Sequence, residues 1–212
     1  MFCIKYFILA VILSGYQPFL AAQETDAKTI LFMGNSLTAG YGLEPLQAFT
    51  SLIQNKIKNE GMSFKVVNAG LSGETTSSGL RRIDWLLKQR VDVLVIELGG
   101  NDGLRGITLN LTKQNLQDII DKARAQYPNI RIILAGMEVP PNMGDTYAAE
   151  FRKMYPELSK KNNVSLIPFL LEGVGDRPEL NQRDGIHPTA QGHVIIAETV
   201  WKFLKPVLKS LP

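Results

Sequence analysis

The chain has 212 residues, of which 45% are hydrophobic and 20% charged, and its net charge of +3 is spread along the sequence. That length supports one sizeable domain with its own core, and the balance is that of a soluble globular protein. There is no basic cluster with interleaved aromatics, which argues against nucleic acid as a partner.

The first segment, MFCIKYFILAVILSGYQPFLAAQ, has an early cation at Lys5, an apolar run from Tyr6 to Leu13 and small residues at Ala21 and Ala22. This order is that of a secretory signal peptide, assigned to residues 1–22. The cut is approximate, because Leu20 stands where a small residue is usual. The competing reading is an uncleaved anchor, but the run is short of the roughly 20 apolar residues that a membrane span needs. Lipoprotein processing would need a cysteine just after the run, and none is there. The single cysteine, Cys3, falls inside the leader, so the mature protein is expected to carry no disulfide and no thiol chemistry. The expected location is the bacterial periplasm or the outside of the cell.

From residue 28 to about 208 the pattern alternates. Residues 28–33 read as a strand, and 46–60 as a helix with Phe49, Leu52, Ile53 and Ile57 in one stripe. A second strand at 64–67 precedes a helix over 77–89. The run VDVLVIEL at 91–98 is almost continuously apolar, as a strand covered on both faces would be. Leu116, Ile119, Ile120 and Ala123 mark a helix ending at Tyr127–Pro128. Residues 130–137 form a fourth strand, 145–161 a helix, 164–170 a fifth strand and 189–204 the last helix. Alternating strands and helices imply a parallel sheet covered on both sides, and in such sheets ligands sit beyond the carboxyl ends of the strands.

The loops after the strands hold the chemistry. Gly34-Asn35-Ser36-Leu37 follows the first, NAGLSGETT with Gly70 and Gly73 the second, and GGNDGLRG with Asn101 and Asp102 the third. DGIHP, with Asp184 and His187, precedes the last helix. A serine hydroxyl needs a base to become a nucleophile, and a histidine base needs a partner that fixes its tautomer. Ser36, His187 and Asp184 supply such a set. Gly185 relieves the backbone between the last two, and Pro188 suits the first turn of the helix that follows. A tetrahedral oxyanion needs donors, and the amides of Ser36 and Gly73 and the side chain of Asn101 are candidates.

Taken together, GNSLTAGYG, VVNAGLSGETTSSGL, ELGGNDGLRG and DGIHPTAQGH resemble the four blocks of the SGNH-hydrolase superfamily, the GDSL-type lipases and esterases. Within it the likeness is to the bacterial acyl-CoA thioesterase, lysophospholipase and arylesterase group. The resemblance implies an α/β fold, a flavodoxin-like three-layer α/β/α sandwich with a five-stranded parallel sheet. It implies Ser36 as nucleophile, His187 as base, Asp184 as its orienting partner, and Ser36, Gly73 and Asn101 as the oxyanion hole. It implies hydrolysis of esters or thioesters without cofactor or metal, on a small-molecule or lipid substrate, with transient contact with membrane lipids and no obligate protein partner. Relatives of this fold also deacetylate carbohydrate. The chain departs from the pattern at Asn35, where the family usually has Asp, and at Gly70, where relatives often carry a larger residue that shapes the acyl-side wall.

Each feature also has a plainer reading. The Ser36 loop is equally suited to cradling a phosphate, as in a ligand-binding flavodoxin-like domain without turnover. Asp102 competes with Asp184 as the histidine's partner, or braces a loop by accepting from backbone amides. Glu97, in a buried-looking strand, must be paired if buried, with Arg105 or a backbone group. Arg81 and Arg82 read as a solvated helix face, and His193 as structural, since two histidines six apart with no cysteine make a poor zinc site. Met137, Val139, Pro140 and Met143 line an acyl pocket or form local core.

Overall fold

The computed structural model describes residues 27–212, so the leader assigned to residues 1–22 lies outside the described residues. The strands are β1 (Lys28–Gly34), β2 (Phe64–Gly70), β3 (Val93–Glu97), β4 (Arg131–Ala135) and β5 (Ser165–Ile167). The helices are α1 (Ser36–Ala39), α2 (Phe49–Asn59), α3 (Thr76–Leu86), α4 (Gly100–Leu104), α5 (Leu109–Gln126), α6 (Asp145–Asn162) and α7 (Ala190–Lys209). The strands form one sheet in the order β2-β1-β3-β4-β5, every pairing parallel. This is the flavodoxin-like order, whose reversal point lies between β1 and β3.

Handedness then fixes the layers. Parallel crossovers are right-handed, so the β1-to-β2 connection and those running from β2 through β5 lie on opposite faces. That puts α2 on one face and α3, α5 and α6 on the other. The packing agrees, with α2 against α7, α3 against α5 and α5 against α6. Covered on both sides, Ile30, Phe32, Met33, Val93, Leu94, Ile133 and Leu134 are sealed from solvent, and the Phe32 ring meets Phe49 of α2 edge-on at 5.6 Å. Burial of this kind contributes roughly 25 cal/mol per Å² of apolar surface.

Several boundaries move for physical reasons. β2 runs on to Gly70 because Asn68, Ala69 and Gly70 pair with Phe32, Met33 and Gly34. β5 stops at Ile167 because Pro168 has no amide to donate. The helix expected from residue 46 begins only at Phe49, after a single 3₁₀ turn at Pro45–Gln47. α7 continues through Pro206 to Lys209, where packing of Leu204 and Leu208 into the core holds a turn that the proline alone would disfavour. α1 and α4 are too short for any periodic signal, yet both lie at the carboxyl edge of the sheet, next to the reversal point.

Candidate active site

The first loop is built from below. In register, Gly34 lies opposite Gly70 on one side and Glu97 on the other. A Cβ on Gly34 would come within 2.1 Å of Thr38 Oγ1 and 2.6 Å of Glu97 Oε2, so only glycine fits. Asn35 caps α1, its Oδ1 accepting from the Leu37 amide at 2.8 Å. Ser36 thus enters a one-turn helix with its hydroxyl at the sheet edge.

The second loop folds on itself. The His187 carbonyl accepts from the Gln182 amide at 2.7 Å, and the Gln182 carbonyl accepts from Gly185 at 2.9 Å. Within it Asp184 Oδ1 accepts from the amides of Ile186 (2.9 Å) and His187 (3.0 Å), while Oδ2 lies 2.7 Å from His187 Nδ1. The His187 amide, then its imidazole and the Ile186 amide, hold the Asp184 carboxyl down at about 2. An ionised carboxylate only accepts, so Nδ1 carries the hydrogen and Nε2 is left with a free lone pair. That Nε2 lies 2.9 Å from Ser36 Oγ. Residues 36, 184 and 187, from opposite ends of the described chain, therefore meet in one hydrogen-bonded line. The Tyr41 ring covers the imidazole, centroids 4.5 Å apart. Gln182 ties the two loops together, its Nε2 donating to the Tyr41 carbonyl (2.8 Å) and the Pro188 carbonyl (3.0 Å).

The remaining predicted donors lie on two linked loops. The Leu71 amide donates to the Gly34 carbonyl at 2.9 Å, seating the β2–α3 loop beside the first. Asn101 Nδ2 donates to the Glu74 carbonyl at 2.9 Å, which leaves its second amide hydrogen uncommitted among the described residues. Gly73, at φ +79, has its carbonyl held by Arg105 Nη2 at 3.1 Å. Asp102 does not reach His187. Fully buried, it accepts from the Thr76 amide (2.8 Å) and the Thr76 hydroxyl (2.5 Å), tying α4 to the start of α3.

Five sequence readings are corrected or settled here. Arg82 is not on a solvated face, because it forms a bidentate pair with the buried carboxylate of Glu74 and donates to the Ala69 carbonyl at 2.6 Å. The hidden signal was an acidic residue eight positions upstream, in a loop rather than on the helix. Glu97 does not meet Arg105, and its partners are Asn35 and Thr38. Burial pushes its carboxyl up to about 7, against the pull of those hydrogen bonds. Gly70 is dictated by α1, since a Cβ there would lie 2.2 Å from the Ala39 nitrogen. Met137 and Val139 are buried core, the latter against Gly103 of α4. His193 is buried, its Nδ1 accepting from the Phe49 amide at 3.0 Å, and desolvation pulls it down to about 4. It serves as a cap for α2, whose own N-cap, Ala48, offers no side-chain bond.

Fold and site geometry together define a hydrolase of ester bonds. The profile of the GDSL-like Lipase/Acylhydrolase family matches residues 32–195, and the chain belongs to that family. It is 40% identical over 201 residues to Esterase TesA of Pseudomonas aeruginosa, covering 94% of this chain and 99% of that protein. To the Thioesterase 1/protease 1/lysophospholipase L1 of Escherichia coli K12 it is 39% identical over 190 residues, 89% of each chain. The crystal structure of the psychrotrophic esterase EstA from Pseudoalteromonas, inhibited by monoethylphosphonate, superposes with a TM-score of 0.81 at 33% identity, covering 86% of this chain and all of that one.

Proposed function

We propose that this chain is an exported carboxylic-ester hydrolase that works through an acyl-Ser36 intermediate, with lipid, aryl or thioester acyl groups as substrates. The observation that carries the mechanism is the 2.9 Å approach of His187 Nε2 to Ser36 Oγ, with Nδ1 committed to Asp184. His187 takes the hydroxyl proton as Oγ bonds to the substrate carbonyl carbon. The resulting oxyanion is held by the Ser36 and Gly73 amides and the free hydrogen of Asn101 Nδ2. The imidazolium, stabilised by the Asp184 carboxylate, returns its proton to the departing alkoxide or thiolate as that bond breaks. Water then gives a proton to Nε2, attacks the acyl carbon, and Ser36 leaves with its hydrogen restored. Each oxyanion donor lowers the barrier by on the order of 2.7–4 kcal/mol.

Apolar substituents are supported by the loops that carry these groups, since Tyr41, Leu71, Leu104 and Ile186 are all exposed on them. Export rests on the composition of residues 1–22, ahead of a hydrolase domain over 28–208, and amino-terminal sequencing of the mature protein tests it. The nucleophile assignment is tested by Ser36→Ala on a chromogenic short-chain ester. The expected result is loss of more than about 10³-fold in kcat, and hydrolysis at an undiminished rate would overturn it.

A further inference from the structure

We propose that Glu97 is a positioning residue for the nucleophile, its buried carboxylate fixing Asn35 and, through Asn35, the turn that presents Ser36. The inference rests on Ser36 being the nucleophile, and it adds a residue from the middle of the sheet to the machinery.

Glu97 ends β3, in a row otherwise made of Val93, Leu94, Val95 and Ile96, and is only 2% exposed. Burying a carboxylate among such neighbours is unfavourable unless its oxygens are satisfied. They are satisfied from one place. Asn35 donates its backbone N–H to Oε2 at 3.0 Å and its Nδ2 to Oε1 at 2.8 Å, and Thr38 Oγ1 donates to Oε2 at 2.8 Å. The carboxylate thus grips the residue before Ser36 and the residue two after it.

This grip sets the direction of the Asn35 amide. Ionised, as it is above pH 7, Glu97 accepts at both oxygens, so Nδ2 must face it. Oδ1 is then turned the other way, where it accepts from the Leu37 amide at 2.8 Å and lies 3.5 Å from Ser36 Oγ. At that length it does not compete with His187 Nε2, 2.9 Å away, for the hydroxyl hydrogen. A flipped amide would set donor against donor at Leu37 and loosen the turn. Gly34, with no room for a Cβ between Thr38 and Glu97, marks how closely the strand end is built around this contact.

The test is a swap of hydrogen-bond polarity. In Glu97→Gln, one orientation of the new amide opposes Asn35 Nδ2 and the other opposes the Asn35 backbone N–H, so neither restores the grip. In the double variant Asn35→Asp with Glu97→Gln, the glutamine Nε2 donates to the aspartate while its oxygen accepts from the residue-35 amide and Thr38, and the Leu37 amide keeps an acceptor. The readout, taken above pH 7 where Glu97 is ionised, is kcat per site titrated with a fluorophosphonate, with KM and melting temperature measured alongside. Glu97→Gln is expected to lower kcat about 30-fold with KM within about twofold, since small displacements of a reacting group cost up to 10²-fold. The double variant is expected to return to within about threefold of the wild type. A melting temperature that falls while kcat per titrated site stays unchanged would overturn the proposal in favour of a purely structural role. A double variant no better than the single one would overturn it too. Should Glu97→Gln not fold, Thr38→Val removes one donor at constant shape; about a fivefold loss of kcat at unchanged KM is expected, and no loss contradicts the proposal. The Ser36→Ala control keeps the two readings apart: an active Ser36→Ala removes the nucleophile itself, whereas an inactive Ser36→Ala beside a fully active Glu97→Gln removes only the role of Glu97.

Discussion

The two loops that meet at the site are held in opposite ways. The Ser36 loop is anchored from beneath: Asn35, Leu37 and Thr38 are buried, and the anchor is a strand-end carboxylate inside the sheet. The His187 loop is anchored from within itself: Arg183, Asp184, Gly185 and Ile186 are exposed, and the ring is oriented by a carboxylate three residues away. The Ser36 hydroxyl is therefore tied to the stability of the core, while the His187 ring is placed by a local surface turn. Changes in the second loop should alter turnover without unfolding the protein. Changes beneath the first should touch both.

The sharpest break of that contrast comes from Asp184→Asn. Its Oδ1 can still accept from the Ile186 and His187 amides, so the turn persists and the melting temperature should move by only a degree or two. Its amide nitrogen, however, donates toward Nδ1 and drives the hydrogen onto Nε2, which then cannot accept from Ser36. The expected loss in kcat is on the order of 10³–10⁴-fold, and steady-state kinetics beside a thermal melt checks both halves. A large fall in melting temperature would mean that the surface turn also supports the core.

The histidines give the second contrast. His193 is held neutral by burial, with its value pulled from 6.5 to about 4. The unfolded chain therefore binds a proton there that the fold refuses, and stability from this group is full above pH 6.5 and lost as pH falls toward 4. The loss is about 3 kcal/mol. Glu97 works the other way, since its raised value lets the fold bind a proton that the unfolded chain releases, so its contribution is lost as pH rises from 4.5 to 7. A wild-type pH profile mixes the two. The difference between wild type and His193→Gln isolates the first: that variant should be less stable at pH 7.5, with the gap closing as pH approaches 4. A gap independent of pH would show that His193 is not neutral in the fold.

The smallest effect tests the tie between the loops. Gln182→Leu deletes the bonds to the Tyr41 and Pro188 carbonyls. A fall in kcat of about tenfold is expected, with KM nearly constant. An unchanged kcat would mean that each loop holds its place without the other.

The same contrast decides what could be read before any coordinates. The parallel sheet was legible because β1 and β3 are covered on both faces and so read as unbroken apolar runs. The His187 loop was legible because Asp184, Gly185, His187 and Pro188 are neighbours in the chain, and local chemistry is written locally. The anchor of the Ser36 loop was not. Glu97 stands 62 residues from Asn35 and 59 from Thr38, and nothing in the periodicity of a strand says which side chain its one acid will meet. Arg82 failed for a related reason: its helical spacing suits a solvated face, but the Glu74 that claims it lies in a loop whose path is set by the sheet. α1 and α4, with four and five residues, carry no period to detect, although they present Ser36 and Asn101.

The central claim is that the Ser36 oxygen forms a covalent bond with the acyl group during turnover. Rapid acid quench of the enzyme with a slowly hydrolysed aryl ester, followed by peptide mass spectrometry, tests it most directly. The account predicts that the peptide containing Ser36 gains the mass of the acyl group in the wild type and gains nothing in His187→Ala. An acyl mass on another residue, or turnover with no acylated peptide, would contradict it.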